Sequence, residues 1–516
     1  MLTVLEYLVL SVYFVALVIL FVFGAHGFLM VYYFKKFRQV VGLRPKPLKH
    51  HPKVTIQLPV FNEYYVVERL IHAVCRMTYP LDRLEIQVLD DSTDDTLSLS
   101  QKCVHEYRSR GYNISLLHRE NRKGFKAGAL KDGLAQATGD FIAIFDADFI
   151  PPRDFLARTI PYFADTGVGM VQTRWGHLNP NFSMLTRAQA IGLDGHFVIE
   201  QTARNGAGFF INFNGTAGIW RKACILDAGN WSDDTLTEDL DLSYRAQLRG
   251  WKFKYLQDAV CSSELPAEIG ALKSQQFRWT KGAIETSKKI LPQVWRSAMP
   301  LRIKLQSTIH LSNNLVFPFI FIVGLLNLPL ILLKNESAHD YSSYFAISSF
   351  FLLAFFGSLL MYVTSQKELY PDWRKRILYF PLFMAGSMGL AFNNTRAIVQ
   401  GLCNRKSEFQ RTPKYRIESS RDHFLDKTYF NVRGSMNRFT GWGIVELLLA
   451  LYSFAGIVIS LSYAEFAAVP FQSLFCCGYG YIGFLSVKHT LLPQLRERFS
   501  QPFWLAGRTK SVLQPQ

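Results

Sequence analysis

DFIAIFDAD, residues 140–148, is the stretch on which the reading of this chain turns. Phe141 to Phe145 is an unbroken apolar run, and Asp146-Ala147-Asp148 ends it just ahead of Pro151-Pro152. A short apolar run closed by turn residues predicts a strand buried on both faces. Residues two apart on a strand point the same way, so the carboxylates of Asp146 and Asp148 are expected to converge. Converging carboxylates repel one another, and a divalent cation that also grips phosphate oxygens resolves the conflict. The plainer alternative is a solvated turn before the prolines, and the motif alone does not choose.

The flanking sequence keeps the same rhythm. VTIQLPV (54–60), EIQVLDD (85–91) and ISLLHR (114–119) read as further strands. Between them lie helix-period segments: VVERLIHAVCRM, a helix from about Asp94 to Arg110, and GFKAGALKDGLAQA. Alternating strands and helices predict a mostly parallel sheet covered on both faces, with ligands at the carboxyl ends of its strands. Further on, TLTEDLDLSYRAQLRGW (235–251) reads as a helix. Thr235 and Glu238 fit a capping box, Gly250 fits a C-terminal stop, and Glu238, Asp239 and Asp241 suit the positive end of the helix dipole.

The chain has 516 residues and a net charge of +17; 49% of it is hydrophobic and 19% charged. Its apolar residues cluster, which predicts soluble and membrane parts in one chain. Val4 to Phe34 is long enough to cross a hydrocarbon core of about 30 Å. It lacks a basic start and a small-residue cleavage site, so it reads as a retained anchor. Lys35, Lys36 and Arg38 follow it and place the next residues in the cytosol. Runs near 311–333, 344–364, 441–463 and 467–487 are expected to span as well. The run at 377–400 carries Asn393, Asn394, Thr395 and Arg396, and a central Arg costs about 3 kcal/mol on insertion. An interfacial or re-entrant course there keeps the Arg- and Lys-rich loop 401–440 cytosolic.

The expected organisation follows. Residues 1–34 form an anchor, and 35–305 a cytosolic α/β domain ending in amphipathic interface helices. Residues 306–400 hold membrane helices and the interfacial segment, 401–440 a cytosolic loop, 441–490 two membrane helices and 491–516 a cytosolic basic tail. The excess positive charge suits loops beside anionic membrane lipids and an anionic substrate. No basic stripe interleaved with aromatics points to nucleic acid. The seven cysteines form no CxxC pair, so reduced thiols are expected. Asn214-Gly-Thr216 is read as a chance glycosylation triplet in a compartment without that modification.

Nine motifs in order carry a resemblance: LPVFNE (58–63), LDDSTDDT (89–96), GFKAGAL (124–130), FDAD (145–148), QTRWGHLN (172–179), FNGTAGIWR (213–221), TEDLDL (237–242), QQFRW (275–279) and EFQRTPK (408–414). With them the chain resembles the membrane-embedded family 2 glycosyltransferases of the cellulose synthase superfamily, mannan and glucan synthases and their bacterial relatives above all. The resemblance implies a GT-A fold, a mostly parallel α/β domain inserted between transmembrane helices. It also implies a nucleotide-diphospho-sugar donor, UDP-glucose or GDP-mannose, and Mg²⁺ or Mn²⁺.

On these motifs Asp90 and Asp91 would meet the nucleoside, Lys126 the diphosphate, and Asp146 and Asp148 the metal. Asn214 and Thr216 would line the acceptor end, Gln275 and Trp279 the acceptor itself, and Arg278 the phosphates. Phe409, Thr412 and Lys414 would belong to a loop closing over the nucleotide. Arg411 stands there in place of the Val of the cellulose synthase pattern, with Pro413 after Thr412, as in the mannan-synthase-like branch. Asp239 would be the general base of an inverting transfer to a growing β-linked glycan. A non-processive enzyme acting on a lipid-linked acceptor is the alternative, and a catalytically silent assembly or export protein is a rival of another class. The implied setting is a multi-pass protein of a bacterial plasma membrane or the Golgi with a cytosolic active site.

Overall fold

The computed structural model describes residues 2–41, 45, 50–405, 411–419, 422, 427 and 433–500. Seven strands, β1 (Val54–Val60), β2 (Leu84–Asp90), β3 (Ile114–His118), β4 (Phe141–Ile144), β5 (Val168–His177), β6 (Gly218–Arg221) and β7 (Lys252–Ser263), form one sheet in the order β3-β2-β1-β4-β6-β5-β7. β1 pairs parallel with β2 and β4, β2 with β3, and β5 with β7. Only β6 runs antiparallel to its neighbours β4 and β5. The expected mostly parallel GT-A sheet is therefore present, with each early strand where the apolar runs put it.

Alternation divides the core into two layers. Val54, Ile56, Leu58, Val60, Ala143 and Phe145 enter one, against the helices Val67–Cys75 and Thr96–Ser109. Ile142, Ile144, Met170 and Trp220 enter the other, with Leu130 and Leu134 of the helix Phe125–Gln136. Each such side chain contributes on the order of 1.5–3 kcal/mol by leaving water. The second face of β1 and β2 is polar and paired across the strands: Thr55 donates to Glu85 at 2.5 Å, and Gln57 to Gln87 at 3.0 Å.

The reversed strand β6 positions the site. Gly218 pairs with Ile144, so the turn preceding β6 crosses the carboxyl end of β4. The Ala217 amide donates to Ile144 O at 2.9 Å, and the Asp146 amide donates to Thr216 Oγ1 at 2.8 Å. This capture ends β4 at Ile144, earlier than DFIAIFDAD suggested. Asp146 to Phe149 then form a turn, closed by the Phe149 amide on Asp146 O at 3.0 Å. Asp146 and Asp148 thus sit on that turn, and strand alternation does not orient them.

A second correction concerns TLTEDLDLSYRAQLRGW. The helix begins at Glu238, so Thr235 and Glu238 form no capping box. Its N-cap, Thr237, makes no side-chain cap bond; the Thr237 hydroxyl lies 3.0 Å from the Thr286 hydroxyl instead. Glu238, Asp239 and Asp241 do fall in the first turn, and Gly250 follows the C-cap with φ +93°.

Among the described residues four helices are long and apolar enough to cross a membrane: Val4–Gln39, Leu301–Glu336, Ser342–Leu369 and Gly441–Ser462. Leu448, Leu451, Phe454 and Val458 on the last are exposed, a surface that suits lipid. The run at 467–487, expected to span, lies in the helix Val469–Ser500, which is not among the four. That helix carries Gln472, Ser486 and Lys488, and it packs tightly: a Cβ on Gly478 would lie 2.1 Å from Ala385 O. Residues 377–400 are not one helix either. Phe380–Gly389 and Ala391–Leu402 meet at Leu390, with Asn393 donating to Lys273 O at 3.1 Å and Arg396 over the Trp442 ring at 3.8 Å.

Candidate active site

A cleft of about 1220 Å³, its open mouth included, lies at the carboxyl ends of β1, β2 and β4. Its other walls are Asn214-Gly215, the start of the Glu238–Leu248 helix, the helix Ile269–Arg296 and the segment from Arg411 to Lys414. Asp91, Lys126, Asp146, Asp148, Asn214, Asp239, Gln275, Arg278, Trp279, Thr412 and Lys414 all line it. Motifs spread over more than half the chain therefore meet in one place.

Two expected residues do not reach the cleft. Asp90 is fully buried, and its carboxylate accepts the Ser92 amide at 2.7 Å, turned back on its own turn. Burial raises its pKa, with the Ser92 hydrogen bonds opposing. Thr216 is also fully buried and accepts the Asp146 amide, so it positions a residue that lines the cleft. Phe409 lies outside the described residues.

At the end of β2, Arg119 grips both oxygens of Asp91, at 2.7 and 2.6 Å. The same guanidinium donates to Phe125 O at 2.9 Å, tying Asp91 to the start of the helix that carries Lys126. That start is conformationally unusual, with Gly124 at φ +72° and Phe125 at φ +49°. Gly suits the first angle because it has no Cβ; Phe125 is there against its preference. Arg122 lies 3.4 Å above the Phe61 ring, and both line the cleft.

At the centre, Lys126 donates to Asp146 at 2.5 Å and to Gly215 O at 3.0 Å. Gly215 has φ +80°, and a Cβ there would lie 3.0 Å from Asp239 Oδ2 and 3.5 Å from Lys126 Nζ. Only glycine lets the acid, the ammonium and this turn approach so closely. Lys414 donates to Asp148 at 2.8 Å and to Glu264 O at 2.6 Å. On the remaining wall of the cleft, Asn214 accepts from Gln201 at 2.8 Å, and Trp175 lies with its ring centroid 6.5 Å from that of Trp279.

The electrostatics follow from crowding acids in a poorly hydrated cleft. Burial pushes Asp239 up to about 7, and the neighbouring Glu238 carboxylate adds to the effect while Lys126 opposes it. Burial also raises Glu238. Burial pushes Glu63 up, while the Arg411 guanidinium beside it pulls the other way and favours the charged form. Burial by itself would lower Lys126, but Asp146 and Glu238 outweigh it and hold the ammonium above its usual range. Burial lowers Arg278, with Glu238, Asp146 and Asp239 opposing.

This donor set fits a divalent cation completed by a substrate. Among the described residues no group of three or more His, Cys, Asp or Glu is assembled for a metal. Asp146 and Asp148 offer two hard oxygen donors beside a basic rim of Lys126, Arg278 and Lys414. Mg²⁺ and Mn²⁺ are held in that way, by one or two carboxylates plus substrate phosphates.

Sequence reading passed over several residues in the cleft and one, Arg119, that holds Asp91 at its edge. Glu63 and Trp175 lie inside quoted motifs, but nothing in the motifs marks them for the cleft. Arg119 and Arg122 precede GFKAGAL in HRENRKGFK, a basic stretch that also reads as a solvated loop. Arg411 was visible only as a departure from a pattern.

Residues 51–282 match the family described as glycosyltransferase like family 2. Glucomannan 4-beta-mannosyltransferase 1 of Oryza sativa subsp. japonica is 43% identical over 268 residues, 51% of this chain and 51% of that one. Glucomannan 4-beta-mannosyltransferase 2 of Arabidopsis thaliana is 46% identical over 252 residues, 48% of this chain and 47% of its own. The chain thus spans about half the length of the curated relatives it matches. A mannosyltransferase from Pyrobaculum calidifontis, solved with GDP-Man and Mn²⁺, superposes with a TM-score of 0.51 at 18% identity, over 76% of this chain and 100% of that one. Residues 51–282 are thus similar to a family 2 glycosyltransferase domain and to part of the plant glucomannan 4-beta-mannosyltransferases, in line with the order of the motifs.

Proposed function

We propose that this chain is a membrane-embedded inverting hexosyltransferase that extends a β-1,4-linked glycan from a nucleotide-diphospho-sugar, with GDP-mannose the first donor to test. The observation that carries the reading is the meeting of Asp239, Lys126 and Asp146 around Gly215. It sets a carboxylate of raised pKa beside a phosphate-binding ammonium and a metal-type acid. The names of the relatives favour mannose, and the Pyrobaculum enzyme was solved with GDP-Man.

In this reading Asp91, fixed by Arg119, receives the nucleoside, and Lys126 with Arg278 takes the diphosphate. Asp146 and Asp148 would hold a divalent cation, which would supply charge neutralisation for the departing diphosphate. Trp279 offers a flat apolar wall to the acceptor sugar, and Gln275 a hydrogen-bonding edge. Asp239 takes the proton of the acceptor hydroxyl as that oxygen bonds to the anomeric carbon, inverting an α-linked donor into a β-linkage. The apolar helices set this domain at the cytosolic face of a membrane, with the product leaving on the membrane side.

The test is to incubate the purified membrane protein with radiolabelled GDP-mannose or UDP-glucose and Mn²⁺ or Mg²⁺, then digest the product with a linkage-specific glycanase. Expected is a polymer cut by β-1,4-mannanase. Absence of both transfer and donor hydrolysis with every nucleotide sugar would sink the reading.

A further inference from the structure

Segment Arg411–Glu418 has no regular secondary structure, yet side chains pin it to the rim of the cleft. Lys414 reaches Asp148, and the Tyr415 amide and hydroxyl reach Glu264 and Glu268 at 2.9 and 3.1 Å. Glu418 pairs with Arg69 at 2.6 Å. At the inner end Arg411 pairs with Glu63 at 2.8 Å, with side chains only 13% and 12% exposed. An exposed ion pair is worth little, but one this enclosed leaves an uncompensated charge when either partner is removed.

The two partners differ in how they are held. Glu63 sits on a braced turn: Asn62 takes φ +55°, its amide donates to Ser92 Oγ at 2.9 Å, and its side chain accepts the Thr93 amide at 2.8 Å. The turn that presents Glu63 is thus stapled to the turn that follows Asp91. Among the described residues Arg411 is on a segment held by side-chain contacts, one residue from Thr412 and three from Lys414, and both of these line the cleft.

We propose that Glu63 is a positioning residue whose ion pair with Arg411 seats Thr412 and Lys414 over the bound donor. It gives Arg411, which stands where the cellulose synthase pattern has Val, a specific task. The inference rests on the donor reading above. Because Glu63 and Asp91 stand on stapled turns, the loop is referenced to the same rigid frame that receives the nucleoside. Glu63 contacts the loop through Arg411, so its loss should act on donor affinity ahead of acceptor affinity.

The experiment is a double-mutant cycle on the full-length protein in membranes, with Glu63→Gln, Arg411→Gln and both together. Donor KM, acceptor KM and inhibition by the nucleoside diphosphate product are measured. Each single variant should weaken donor and nucleoside diphosphate by about tenfold or more, with acceptor KM unchanged. The double variant should be no worse than the poorer single, and the reversed pair E63R/R411E should regain most of the loss. Trypsin cleavage after Arg411 and Lys414, without any nucleotide, should be faster in E63Q than in the parent. Independent, multiplying effects of the two Gln variants, or unchanged donor affinity and unchanged cleavage, would overturn the pairing. If the parent binds no nucleotide sugar but the cleavage still responds, the donor reading falls and the pair stands.

Discussion

As the proposed general base, Asp239 must meet two opposing requirements: enough basicity to take a hydroxyl proton, and enough charge stabilisation to exist ionised in a cleft. Burial and Glu238 supply the first, and Lys126 the second. The sign of the pH effect follows. The base works ionised, so kcat/KM, which reports the free enzyme, should rise with pH through about 7 and level off above it. Glu238→Gln removes the neighbouring negative charge and should move that limb to lower pH, as a pH series on the two proteins would show. Asp239→Asn should cost on the order of 10²–10⁴ in transfer rate while nucleotide binding, read by competition with labelled product, stays near the parent's. Binding lost in parallel with rate would make Asp239 a structural acid. The role of this residue was legible only through the TED motif. Its local pattern also satisfies ordinary helix-start chemistry, and no helix-level rule separates Asp239 from Glu238 and Asp241.

Among the elements, the helix Ile269–Arg296 shows how the acid is held in place. A Cβ on Gly282 would lie 2.6 Å from Thr237 Cγ2 and 3.0 Å from Leu236 C, so the helix backbone presses directly on the turn leading into Asp239. Glu285 accepts the Leu236 amide at 3.0 Å, one helical turn on. Gly282→Ala should therefore lower kcat by displacing Asp239 while leaving the thermal midpoint within a few degrees, because alanine is the better helix former. Equal losses of kcat and stability would instead indicate a general packing defect. The helical placement of Gln275, Arg278 and Trp279 on one face followed from their spacing, and the structure brings all three to the cleft. The close approach at Gly282 was not legible, because it depends on a partner segment 45 residues earlier. The turn at Asp146–Asp148 is a similar case: its course is set by the Thr216 hydroxyl, 70 residues away.

On the scale of the whole molecule, the helix Ile269–Arg296 is tied to the apolar helices by a buried charge. Lys273, two residues before Gln275, donates to Glu446 at 2.6 Å and to Ser486 at 2.8 Å, joining three helices. Lys273→Ala should destabilise the protein by about 3–5 kcal/mol, since Glu446 is left buried without a partner. Replacing both with apolar residues, K273M/E446L, should recover most of it; thermal unfolding in detergent measures both. A double variant no more stable than K273A would mean the pair is not what holds these helices. By itself the sequence determined the parallel α/β domain, the apolar helices flanking it and most of the residues that meet in the cleft. These are written in local periodicity and in motifs whose order leaves few alternatives. Only the tertiary structure decided that Asp90 and Thr216 turn away from the cleft, that Arg119 and Glu63 serve it, and that 377–400 is a broken helix packed on protein. In each case a side chain's direction is set by groups remote in the chain, and a linear pattern carries no record of them.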